Sequence, residues 1–111
     1  MLDADGYPTP ASLRALRRYD PLHEPLDGFL TLLREIWYLG GFKLEGDKLE
    51  LHTGGWSGNE DVIEALQPRR PRNVNFWYLS WEWAKRGGHY GFGLSQLRQL
   101  EREREASNLT S

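Results

Sequence analysis

Phe42-Lys43-Leu44-Glu45-Gly46-Asp47-Lys48-Leu49-Glu50-Leu51 decides the architecture. Apolar and polar residues alternate on both sides of a central Gly-Asp, the pattern of two half-buried strands joined by a two-residue turn with glycine first. Folding the segment about that turn sets Glu45 opposite Lys48, Leu44 opposite Leu49 and Phe42 opposite Leu51. Each cross-strand pair then matches in chemistry, which favours this register over its neighbours. An antiparallel sheet with one apolar face follows, and that face needs a cover.

Upstream, the cover is legible. Residues 1–8 read as a flexible arm. Thr9-Pro10 reads as a helix start, with threonine as cap and proline at the first helical position. Leu13, Leu16 and Tyr19 form its apolar face, and Asp20-Pro21 ends it. From Leu26 to Leu39, apolar residues at Leu26, Phe29, Leu30, Leu33, Ile36 and Trp37 make the stripe of a helix packed on a core. Gly40-Gly41 supplies its left-handed stop.

Downstream, His52 to Trp56 is a glycine-rich loop. Ser57-Gly58-Asn59-Glu60 reads as a capping box, with Ser57 as cap and Glu60 reaching back, ahead of a short helix that buries Val62, Ile63 and Leu66. Residues 68–72 read as a loop. Residues 74–84 alternate as one long strand, with Trp77, Leu79, Trp81 and Trp83 on one face and Val74, Phe76, Tyr78, Ser80 and Glu82 on the other. The first of these faces is expected to pack on Leu30, Leu33 and Trp37. Arg86-Gly87-Gly88-His89 turns the chain, and Tyr90 to Leu94 returns beside the strand. Ser95 opens a last helix, and residues 102–111 leave as a frayed polar tail. The expectation is a single α+β domain over residues 1–111. It has a four-stranded antiparallel sheet of two hairpins, helices packed on one face, and the order α-α-β-β-α-β-β-α.

Composition bounds the function. At 111 residues the chain can bury one core and not two. Apolar residues at 39% and charged residues at 27% set it among globular rather than disordered chains. The net charge of −2 creates no global field for nucleic acid. The lack of cysteine excludes disulfides, thiolate nucleophiles and cysteine-based zinc sites. The apolar runs fall short of the ~20 residues of a membrane helix. Met1 to Tyr7 is acidic, without the basic-then-apolar run of a signal peptide. These features predict a cytoplasmic protein with no membrane contact, no cofactor and no metal.

Two motifs can carry chemistry. A glycine-rich loop running into a helix start, here Gly54, Gly55, Trp56, Ser57, Asn59 and Glu60, offers backbone N–H groups and a positive dipole end to an anion or a partner's acidic side chain. It lacks the lysine and spacing of a phosphate-binding P-loop, and glycines at such a bend equally serve a tight connection. Arg86 and His89 flank the second glycine turn, where they can meet an anion or move a proton. A solvent-facing histidine on an ordinary hairpin is the plainer account. If both motifs lie at one end of the sheet, His52, Glu60, Glu82, Arg86 and His89 gather there. Arg69, Arg70 and Arg72 precede the aromatic Phe76-Trp77-Tyr78, a pairing that can bind single-stranded nucleic acid. Three arginines in an acidic chain make a weak footprint for that role.

TGGWSGNEDVIEAL (residues 53–66) and FWYLSWEWAKRGGHYGF (residues 76–92) resemble a group of small proteins encoded by bacteriophages and by bacteria carrying phage-derived genes. The shared wording is Gly-Gly-Trp-Ser-Gly-Asn-Glu and a later aromatic segment ending in Arg-Gly-Gly-His-Tyr. It covers about Leu49 to Phe92 and leaves out both N-terminal helices and the C-terminal tail. The resemblance implies a phage or prophage accessory protein and carries over no activity and no catalytic residue.

The leading expectation is a non-enzymatic protein that binds a host or phage protein, or a second copy of itself, and modulates a host process. Phe76 and Tyr78, on the strand face left open by the helices, are its interface candidates. The alternatives are a small hydrolase or nuclease-like enzyme using His52, Glu60 and His89, and a single-stranded nucleic-acid-binding domain.

Overall fold

A computed structural model describes residues 2–38, 40–67 and 74–110. Within these residues the chain forms α1 (Pro10–Arg18), α2 (Leu26–Ile36), β1 (Phe42–Glu45), β2 (Lys48–His52), α3 (Ser57–Leu66), α4 (Val74–Ser80), β3 (Trp81–Lys85), β4 (His89–Gly93) and α5 (Ser95–Thr110). The strands form one antiparallel sheet in the order β1-β2-β4-β3. The fold is α+β, as the two hairpins imply. The arginine cluster Arg69, Arg70 and Arg72 lies outside the described residues. No described helix is long and apolar enough to cross a membrane.

The first hairpin has the register read from its sequence, Phe42 with Leu51, Leu44 with Leu49 and Glu45 with Lys48. Gly46 takes a left-handed φ of 58° at the turn, a conformation that costs glycine nothing. Thr9 caps α1 by accepting from the Ser12 N–H at 3.1 Å. Leu49, Leu51, Phe92 and Leu94 turn one face of the sheet inward, where they meet Leu33 and Ile36 of α2 and Val62 and Leu66 of α3 in one buried cluster.

Residues 74–84 depart from the alternating reading. The segment is a helix through Ser80, and only Trp81–Lys85 are strand. Phe76 drives the change. Its ring is wedged between Phe29 (4.5 Å between centroids) and Phe92 (5.3 Å), and it is 1% exposed. One helical turn on, Ser80 is buried and its hydroxyl donates to the Phe76 carbonyl. An apolar residue every second position also satisfies parts of a 3.6 period, so alternation alone did not separate the two.

The expected face of Trp77, Leu79, Trp81 and Trp83 therefore does not exist. Trp77 and Leu79 are half-buried on α4, Trp81 is exposed, and Trp83 lies across β4 at Gly91. Phe76 and Tyr78 do not share an open face either, for Phe76 is core and Tyr78 is 74% exposed.

Residues 2–8 and the described part of α5 make hydrogen bonds that tie them into the fold. Residues 2–8 close a loop with a bridge between Leu2 and Pro8, and the Asp3 carboxylate accepts from the N–H groups of Asp5 and Tyr7, each at 2.9 Å. α5 continues through Thr110, with its charges at work in the fold. Pro25 gives α2 no side-chain cap, and Glu101 of α5 accepts from the Leu26 N–H at 2.8 Å in its place. Arg104 donates to the Leu22 carbonyl at 2.7 Å.

Candidate functional site

The two glycine-rich motifs meet at one end of the sheet. The Thr53 N–H donates to the Gly88 carbonyl at 2.9 Å, one residue beyond the last β2–β4 pair, His52 with His89. Gly54, Gly55, Gly87 and Gly88 all have positive φ, and a Cβ on Gly88 would overlap the Thr53 hydroxyl. A side chain at residue 88 would thus push the two motifs apart.

The strands alternate their side chains between the faces of the sheet, and this parity sorts the motif residues. Thr53 and Tyr90 fall on the helix-covered side with Leu51. There they line a cleft of about 550 Å³ with Gly55, Ser57, Glu60, Asp61, Glu64, Gly87 and Gly88. Glu60, Asp61 and Glu64 stand on the exposed side of α3 and give this cleft an acidic wall.

His52 and His89 fall on the other, open side. Their Nδ1 atoms are 2.7 Å apart, and the Glu50 carboxylate lies 3.8 Å from His52 Nε2. Trp83 covers Gly91 beside them, where a Cβ would overlap the indole. The imidazoles do not line the cleft.

The gathering of five residues expected at one end is therefore corrected. His52 and His89 come together and Glu60 lies nearby across the sheet, but Glu82 sits at the far end of β2. Its carboxylate pairs with Lys48 at 2.8 Å and overlies Gly93. From Lys48 to His52 the strand covers about 13 Å. Arg86 is exposed in the turn. Among the described residues, no group of three or more ligating side chains is placed to hold a metal ion.

The capping box is also corrected. Trp56, not Ser57, precedes the first turn of α3, and no side chain caps it. The Ser57 hydroxyl is directed instead at the Tyr7 hydroxyl, 3.4 Å away. Much of Gly-Gly-Trp-Ser-Gly-Asn-Glu serves packing. The Trp56 ring lies between Tyr7 (4.7 Å) and Tyr38 (5.1 Å), and its Nε1 donates to the Gly6 carbonyl at 3.3 Å. Asn59 is buried and clamps two segments. Its Oδ1 accepts from the Tyr38 N–H at 2.9 Å, and its Nδ2 donates to the carbonyls of Tyr38 (3.1 Å) and Thr53 (3.3 Å).

Sequence reasoning missed Thr53, Asp61, Glu64 and Tyr90 as cleft residues. The spacing of Glu60 and Glu64, one turn apart and opposite the buried Val62 and Leu66, was the available signal. For nucleic acid, burial of Phe76 and half-burial of Trp77 leave only Tyr78 of that trio open for stacking. Comparison with protein-family models, curated proteins and solved structures gives no significant match.

Proposed function

We propose that this is a small non-enzymatic binding protein, a phage or prophage accessory factor acting in the cytoplasm. Its recognition site is the cleft between the two glycine-rich motifs, and its partner is a protein that inserts a basic side chain there. The observation that carries this reading is the Thr53–Gly88 contact, which joins the two motifs into the walls of one acidic cleft. The Glu60 and Asp61 carboxylates on its α3 wall oppose an anion and attract a lysine or arginine. The phage resemblance proposed from the sequence of residues 49–92 covers both motifs.

The test is capture from bacterial lysate by three immobilised chains, namely wild type, Glu60→Lys/Asp61→Lys in the cleft, and Lys43→Gln/Lys85→Gln on the opposite face. The expected result is one protein retained by wild type and by the lysine variant and lost by the cleft variant. Equal retention by the cleft variant overturns the reading, and a band lost only with the lysines moves the site to the open face.

A small acid–base enzyme is the second reading, favoured by the contact between His52 and His89. Its carboxylate would be Glu50 rather than Glu60, which faces the cleft. Cleavage of single-stranded DNA by wild type and its loss in His52→Gln would support this reading.

A further inference from the structure

We propose that His52 and His89 form a proton-sharing pair that locks β2 to β4 in the neutral range and releases that end of the sheet when both rings are protonated.

A neutral imidazole carries one hydrogen, on either nitrogen, and an imidazolium carries both. A 2.7 Å contact between two Nδ1 atoms needs a hydrogen on one of them and a bare lone pair on the other. The pair therefore exists with both rings neutral or with one charged. Two imidazolium rings would set N–H against N–H and like charge against like charge, and the rings must part.

The charged groups around the pair come from three strands. Glu50 on β2 faces His52 at 3.8 Å, Lys85 on β3 is the register partner of His89, and Lys43 on β1 is the partner of Glu50. Parting of the rings strains the next rung, the Thr53 N–H to Gly88 carbonyl bond, which holds the two glycine motifs together. The inference rests on the β2–β4 register and not on the identity of any partner, so it stands or falls separately from the capture experiment.

The test uses the full chain with His23→Gln as reference, because His23 is the third imidazole and contacts Asp20 at 2.8 Å. Melting temperature and exchange of the Thr53 amide are followed from about pH 7.5 to about pH 5, where histidine titrates and carboxylates remain largely ionised. The reference is expected to lose about 4 °C or more, the response of a domain near this size to loss of one net hydrogen bond. The protection factor of the Thr53 amide, its exchange rate relative to that of the unfolded chain at the same pH, is expected to fall over the same range. Adding His89→Gln is expected to remove most of both changes. A flat profile in the reference, or an acid loss that persists in full with His89→Gln, overturns the proposal. Nitrogen NMR of the wild-type imidazoles at about pH 7.5 tests it without any variant. One ring of the pair is expected to carry hydrogen on Nδ1 and the other on Nε2, and two Nε2–H rings overturn it.

Discussion

Asn59 is 1% exposed and serves two segments at once, so its side chain is worth more than its neighbours in the same motif. Asn59→Ala strands the Tyr38 N–H and weakens two carbonyls' bonding, at an expected cost of about 2–3 kcal/mol in urea denaturation. Ser57→Ala two residues earlier removes no cap, and its expected change is within about 0.5 kcal/mol. Equal losses at both positions would contradict the geometry. The motif's wording marked both residues alike, because a short polar residue before an apolar run suits a cap or a buried clamp. Only the position of the Tyr38 backbone decides between them.

Tyr19 offers a pH test at the same scale. Burial pushes its hydroxyl pKa above the usual tyrosine value, helped by Glu24 and Glu101 and opposed by Arg104. The folded chain thus holds this proton more tightly than the unfolded chain. That stability is present below about pH 10 and is lost as pH rises through the folded value. Urea midpoints at about pH 9 and pH 11 should fall less in Tyr19→Phe than in wild type.

At the scale of elements, α4 separates the two readings of residues 74–84. In a strand, Phe76 and Tyr78 share a face and respond alike. In the helix, Phe76 fills the space between Phe29 and Phe92 while Tyr78 points to solvent. Phe76→Ala is expected to cost about 3–5 kcal/mol, and Tyr78→Ser about 0.5 kcal/mol or less. Denaturant titration of the two variants gives the answer. The first hairpin was legible because its turn chemistry, alternation and charge pairs agree. α4 was not, because aromatic residues favour strands locally and the helix is held by tertiary contacts on Phe76.

α5 gives a second test. Its Glu-Arg run reads from sequence as solvated, yet Glu101 supplies the cap that Pro25 cannot. Glu101→Ala is expected to destabilise by about 1–2 kcal/mol, measured by the same titration. An unchanged midpoint would return the run to solvent.

For the whole molecule, the sheet acts as a partition. The sequence named both glycine-rich motifs and both histidines, and the structure brings them to one end. What it could not reveal was the pairing of β2 with β4, since nothing local links residues 37 positions apart. That pairing sends Thr53 and Tyr90 into the cleft and His52 and His89 to the open face. A slip of one residue would exchange every side chain between the two faces, moving the imidazoles to the helix side and dissolving the acidic cleft. Cross-strand proton contacts in a NOESY spectrum of the labelled chain test this partition most directly. The account predicts contacts of His52 with His89 and of Leu51 with Tyr90. Contacts of His52 with Tyr90 and of Thr53 with His89 as the opposed pairs would contradict it.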